Sequence, residues 1–392
     1  MHNLPTGGAM RVLSEWLAHT SAQQLTIYTR DTRVHQFAPV PERAQVIERP
    51  LHTGTGALDE IRRLALSPRE GARLAAEVDK GGHDAVFCFA SVLTQALDVL
   101  PFLRTPSVFY APEPLRSAYE PPELVQLAPG WRGAVTRMGI NPIEIRRRQL
   151  DRRYIRAAHS IVTHSRFTSE ALAQIYGVQS EVVHLGVDAE AFTPPREARE
   201  GYVLSVGALH PLKGHDQVIE AIATIPTGRP RLVVIGDRGE AEGQLSALAQ
   251  ARGVQLELRR GLPFAKVVEL YQRAGAVVCA QIREPFGLVP LEAMACATPV
   301  VAVEDGGFRE TVRNGETGLL VKRDSTKLGA AITSVLSDNA LATRLGEAGR
   351  KEVQSNWTWD KTTAEFDRLL IELRERDSTT PKARQALPLS AL

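Results

Sequence analysis

Ile282-Arg283-Glu284-Pro285-Phe286-Gly287-Leu288-Val289-Pro290-Leu291-Glu292-Ala293-Met294-Ala295-Cys296 separates two short apolar runs, at 276–279 and 299–303. Both runs have the near-continuous hydrophobic character of parallel strands buried on both faces. The stretch therefore reads as the loop and helix of a strand, loop, helix, strand unit. Pro-Phe-Gly supplies the turn, and a helix is expected from Leu288 onward. The amides of Gly287, Leu288 and Val289 then stand in its first turn without intrahelical partners, at the positive end of the helix dipole. Such an end binds phosphate. Glu284 falls in the loop and Glu292 about one turn into the helix, both beside the crevice beyond the strand ends where open α/β sheets hold ligands. A ligand carrying phosphate and hydroxyl groups matches that set.

Outward from this stretch, further apolar runs at 85–89, 107–110, 160–163, 202–206 and 231–235 alternate with helical patterns such as 217–225 and 266–273. That alternation predicts an α/β protein with parallel, doubly wound sheets. A chain of 392 residues exceeds what one core usually serves, so two domains are expected. Prolines and charges interrupt the pattern at 186–200. The expected organisation is a first domain at 1–185, a linker at 186–200, a second domain at 201–356, an amphipathic helix at 357–376 and a disordered tail at 377–392. Thr6-Gly7-Gly8 leads into a helix from about Ala9 with no strand pattern ahead of it. The first sheet is thus expected to be one strand short, or to continue from residues upstream.

The composition excludes several classes. With 47 basic and 45 acidic residues the net charge is +2, which gives no global attraction to nucleic acid. Cys88, Cys279 and Cys296 are far apart and have no metal-ligand spacing, so they read as reduced, buried core residues. No run approaches the ~20 apolar residues needed to span a bilayer, and no signal-peptide pattern opens the chain. The expected location is the cytoplasm. The Gly-x-Gly-x-x-Gly fingerprint of a nicotinamide enzyme is absent, as is the phosphate loop of an ATPase. No Asp-x-Asp occurs to clamp a metal-bound diphosphate, so neither a metal site nor a cofactor is expected.

Several motifs together resemble glycosyltransferase family 4, the retaining group 1 enzymes. The match is Glu284-x7-Glu292 with Pro285-Phe286-Gly287 inside it. It continues through Ala297-Thr298-Pro299, Gly306-Gly307, Glu310-Thr311-Val312 and Asn314-Gly315-Glu316-Thr317-Gly318, in the family's order. Val206-Gly207-Ala208-Leu209-His210-Pro211-Leu212-Lys213-Gly214 is similar to the family's earlier strand, loop and helix start. Thr6-Gly7-Gly8-Ala9 resembles its glycine-rich first loop, and Ser165-Arg166-Phe167 its hinge region. The resemblance implies a GT-B fold, two facing Rossmann-like domains with a cleft between them and a C-terminal helix, the acceptor on the first domain and the donor on the second. It also implies roles. Glu284 would contact the donor sugar, and Lys213 would neutralise the leaving diphosphate. Phe286, Gly287, Leu288 and Val289 would hold sugar and diphosphate by their backbone, Glu292 the ribose, and Gly8 and Gly207 would let the backbone approach the donor.

The chain departs from the family pattern at two places. Ala208 stands where the family usually has a phosphate-binding arginine, and Pro112 where it often has a histidine at the acceptor side. Glu113, Arg116 and Tyr119 remain as acceptor-side candidates. The function implied is retaining transfer of a hexose from a UDP- or GDP-linked nucleotide sugar to a hydroxyl of a saccharide or lipid-linked acceptor. The alternative is a catalytically weakened member that binds sugar nucleotide or serves as a partner subunit. Arg132, Arg137, Arg146, Arg147, Arg148, Arg152, Arg153 and Arg156 make residues 132–156 the densest basic region. It reads either as a solvated face pairing with nearby acids or as a contact with an anionic inner-membrane surface.

Overall fold

The structure, a computed structural model, describes residues 8–30, 40–50, 57–91, 93–119, 141–236, 239 and 241–379. The chain divides into two compact units: Met1–His164, Thr168–His184 and Thr362–Leu392 form unit 1, and Ser165–Phe167 with Leu185–Lys361 form unit 2.

In unit 1 the strands β1 (Leu25–Thr29) and β2 (Ala44–Glu48) pair in parallel. A separate parallel sheet runs in the order β3 (Val86–Cys88), β4 (Ser107–Tyr110), β5 (Ser160–Thr163) and β6 (Glu181–Val182). Its centre is apolar: Phe109, Val162 and Cys88 are fully buried, and Phe109 and Cys88 share a core with Tyr154 and Tyr176 from the helices Pro142–Arg156 and Arg166–Tyr176. The helix Gly8–His19 is met by the last helix of the chain. There the Asp367 carboxylate accepts from Trp16 Nε1 at 3.0 Å, Thr20 Oγ1 at 2.8 Å and the Ser21 amide at 2.8 Å. That helix spans Trp359–Thr379, so it starts two residues later than the pattern at 357–376 suggested and continues past Arg376. From Thr362 it belongs to unit 1. Trp357 instead packs its ring 5.8 Å from Phe286 in unit 2.

Unit 2 is one parallel sheet in the order β12 (Leu319–Val321), β11 (Val300–Val303), β10 (Ala276–Cys279), β7 (Val203–Val206), β8 (Leu232–Ile235) and β9 (Leu256–Arg259). β8, β10 and β11 are buried along their whole length, as expected of strands covered by helices on both faces. The helices His215–Ala223 and Phe264–Arg273 begin two residues before the patterns read from the sequence at 217 and 266.

All three cysteines are free and buried. Among the described residues no helix is long and apolar enough to cross a membrane. Within the basic region, Arg147 pairs with Glu60 and Glu144, while Arg152 and Arg156 donate to the carbonyls of Ile175 and Tyr176 at 2.7 Å each. Part of its charge is therefore spent inside the unit. Arg132 and Arg137 lie outside the described residues, as do Thr6, Gly7 and the tail beyond Thr379.

Candidate functional site

The strand order of unit 2 reverses between β7 and β10: β8 and β9 continue on one side, β11 and β12 on the other. Neighbouring strands whose chains leave in opposite directions open a crevice at their carboxyl ends. The two loops that emerge there are 207–214, after β7, and 280–287, after β10. They are locked together. The Ile282 amide donates to the Leu212 carbonyl at 2.9 Å, and Gln281 Nε2 to that of Val206 at 3.1 Å. Gly214 has a φ of +66°, and a Cβ there would lie 2.0 Å from the Ala280 carbonyl oxygen.

Lys213 ends a short 3₁₀ turn, Pro211–Lys213, capped by His210, whose Nδ1 accepts from the Leu212 amide. The lysine stem lies against Gly207, where an added Cβ would come within 3.1 Å of it. This approach directs the ammonium to the other loop, and Lys213 Nζ meets Glu284 Oε2 at 2.9 Å. The two residues singled out from distant motifs are thus ion-paired. Behind them His215 is buried, with its Nδ1 2.9 Å from Ser205 Oγ and its Nε2 3.2 Å from the Gly207 carbonyl. Since a carbonyl only accepts, Nε2 carries the proton and Nδ1 accepts from the serine. Burial pushes the pKa of this imidazole down.

Glu284 is held by its backbone as well. Its carbonyl accepts from the Gly307 amide at 2.8 Å, and the preceding Arg283, at a φ of 50°, donates its amide to Asp305 at 2.9 Å. A Cβ on Gly306 would sit 2.3 Å from the Glu284 carbonyl oxygen, and one on Gly307 2.4 Å from that of Phe286, so this glycine pair is the surface on which the loop lies. Gly287, at a φ of +116°, opens the helix Leu288–Ala295 without any side-chain cap. The amides of Leu288 and Val289 follow in its first turn, and Pro290 has none to satisfy. Glu292 is buried and accepts from the Tyr271 hydroxyl at 2.6 Å. Burial and then the Glu292 charge raise the Tyr271 pKa well above its ordinary value, which keeps the phenol a donor. The Cys279 thiol beneath the site is likewise held neutral, by burial and then by Glu284 and Glu292.

The remaining candidates belong to unit 1. Gly8 begins the helix Gly8–His19. Glu113 and Arg116 pair at 3.6 Å, and Tyr119 packs edge-on against Tyr176 at 5.4 Å under the Arg148 guanidinium. Tyr176 also ties their loop down: its hydroxyl accepts from the Leu115 amide at 3.0 Å and donates to Asp151.

Residues 188–352 match the family model for glycosyl transferases group 1. That stretch lies within unit 2 and resembles a group 1 glycosyl transferase domain. A D-inositol 3-phosphate glycosyltransferase from Acidothermus cellulolyticus is 33% identical over 52% of this chain and 51% of its own length. The chain spans about half the length of the curated relatives it matches. Among solved structures, a sucrose-phosphate synthase from Thermosynechococcus elongatus superposes with a TM-score of 0.72 at 21% identity, covering 94% of both chains. Anabaena HepE in complex with UDP-glucose superposes at 0.63 and 17% identity, over 96% of this chain and 98% of that one. The fold is accordingly GT-B, built of two Rossmann-like domains.

In unit 2 the structure adds residues that the sequence did not single out. Tyr271 sits in an ordinary-looking amphipathic helix, and nothing in its spacing betrays the bond to Glu292. Arg199, within the stretch read as a linker, donates to the carbonyls of Cys296 at 3.0 Å and Ala297 at 2.8 Å, and Arg350 donates to that of Ala295. Two cations therefore gather at the negative end of the helix whose other end faces the crevice. Glu310, which the sequence shows only as part of a motif, accepts the amides of Arg166 and Phe167 at 2.9 and 3.0 Å, beside a Ser165 hydroxyl that donates to the Pro285 carbonyl.

Proposed function

We propose that the protein is a retaining glycosyltransferase of family 4, moving a hexose from a UDP- or GDP-linked donor to a hydroxyl of a saccharide or lipid-linked acceptor. The observation that carries this reading is the Lys213–Glu284 pair at 2.9 Å, placed where the sheet order reverses and beside the uncapped start of the helix Leu288–Ala295. Cation, carboxylate and unpaired amides are then within one crevice.

When the donor binds, its diphosphate takes over Lys213 and accepts from the amides of Gly287, Leu288 and Val289. Glu284, released from the lysine, accepts from sugar hydroxyls. Glu292, oriented by Tyr271, accepts from the ribose diol, the Phe286 backbone contacts the sugar, and Gly207 leaves room for the backbone to approach the donor. As the glycosidic bond breaks, negative charge grows on the departing phosphate, where the ammonium and the helix end already stand; preorganised stabilisation of this kind often contributes more to catalysis than any other single effect. Because these groups supply the positive charge, the proposal includes transfer without a divalent metal. In the family mechanism the departing diphosphate helps the acceptor hydroxyl to attack from the same face.

A second reading rests on Ala208 and Pro112, which remove one cation and one histidine from the family pattern. It is a member that binds sugar nucleotide with little turnover. Product formation from UDP-glucose, GDP-mannose and ADP-glucose over a panel of saccharide acceptors distinguishes the two. Turnover that persists in EDTA and falls roughly a hundred- to a thousandfold in Glu284→Ala is expected. Saturable donor binding with no product from any pair supports the second reading, and full activity in Glu284→Ala overturns the site.

A further inference from the structure

Unit 1 has a concave site of its own that none of the roles above uses. A cavity of about 230 Å³ is lined by Arg30, Arg62, Arg63, Ser67, Glu70 and Leu93 among others. Arg30 directly follows β1, and Leu93 lies beyond β3, so the cavity sits at the carboxyl ends of unit 1 strands, the edge at which α/β sheets take ligands. Arg63, Ser67 and Glu70 recur at helical spacing along Ala57–Lys80 and share one face of it.

The charges are not balanced like those of an ordinary surface. Arg30 is almost fully buried and donates to Asp98 at 2.7 Å; Asp98, itself buried, also accepts from Ser67 Oγ at 3.1 Å, and Ser67 meets the Tyr154 hydroxyl at 3.1 Å. That chain fixes the Arg30 guanidinium and uses up the Asp98 charge. Glu70 pairs with Arg73 at 2.9 Å. Arg63 has no such relief: its Nε is buried and has no hydrogen-bond partner among the described residues. A desolvated donor on a charged group is costly to leave unpaired. Three guanidinium groups line the cavity, that of Arg30 pinned and that of Arg63 with an unsatisfied Nε, and the cavity is smaller than a pocket for a whole drug-sized ligand. This geometry suits the anionic end of a molecule whose remainder lies outside.

We propose that the cavity binds a phosphomonoester, the charged end of a phosphorylated sugar acceptor. Its role as an acceptor site rests on the glycosyltransferase reading; its binding of phosphate does not. The test is calorimetric titration of the full chain with glucose 6-phosphate, glucose and UDP, repeated on Arg63→Gln and Arg63→Lys. The expected result is binding of glucose 6-phosphate in preference to glucose, weakened by roughly ten- to a hundredfold in Arg63→Gln and partly restored in Arg63→Lys, with UDP affinity unchanged in all three proteins. Unaltered binding of glucose 6-phosphate by a folded Arg63→Gln overturns the proposal, and so does its displacement by saturating UDP, which would put the phosphate in the unit 2 crevice. Arg63-dependent binding of glucose 6-phosphate by a protein that ignores UDP leaves the cavity assignment standing and removes the donor reading instead.

Discussion

His215 shows how one buried side chain sets the geometry of a loop. Its two ring nitrogens are engaged, one accepting from Ser205 and one donating to the Gly207 carbonyl, so it fixes the bend over which Lys213 is laid. Burial holds its folded-state pKa below the ordinary 6.5, so the imidazole stays neutral. Below that value the unfolded chain takes up a proton that the folded chain refuses, and more protons bound in the unfolded state mean stability that is lost as pH falls. His215 is expected to contribute a progressive loss of stability as pH drops from 6.5 toward its lowered pKa. Thermal melting of the wild type and His215→Gln across that range checks this: the variant should show the shallower dependence, and equal slopes would contradict the assignment. Ser-x9-His spacing gave no hint of this role, because the contact is made only when strand and helix close on the loop.

At the scale of elements, the glycines explain why the two site loops can touch. Gly214 combines a φ of +66° with a carbonyl oxygen 2.0 Å from where a Cβ would be. Gly214→Ala should therefore cost about 2 kcal/mol or more, since neither the left-handed backbone nor the Ala280 carbonyl has room to yield. Urea unfolding measures it, and a loss below about 0.5 kcal/mol, the usual size of a surface change, would contradict the packing described. The strands that the sequence revealed, β3, β4, β5, β7, β8, β10 and β11, are apolar runs and all but β3 lie inside their sheets; they were legible because strands covered on both faces must be apolar. β2, β6, β9 and β12, at sheet edges and only partly buried, escaped notice for the converse reason, and β1 was not read as a strand either. Leu256-Glu257-Leu258-Arg259 at the sheet edge alternates polar and apolar side chains and is only partly buried, so its composition resembles a loop or an exposed helix turn.

At the scale of the molecule, the sequence led to an expectation of two α/β domains joined by a linker at 186–200, but did not show that the last helix returns to the first. Asp367 bonds to residues around Thr20, a pairing that no local pattern encodes, and Arg199 looked like linker charge until its carbonyl partners were known. The proposed donor site was legible because it is assembled from contiguous motifs, each of which carries its own turn chemistry. The cavity around Arg63 was not, because it draws on a strand end, a helix face and a buried aspartate far apart in sequence. The proposed function as a whole depends on unit 2 holding a nucleotide diphosphate through Lys213. Calorimetric titration of UDP, GDP and ADP into the wild-type chain and into Lys213→Ala tests that dependence most directly. The expected result is saturable binding of at least one of the three, weakened roughly tenfold or more in Lys213→Ala; no binding of any by the wild type, or equal affinity in the variant, would contradict it.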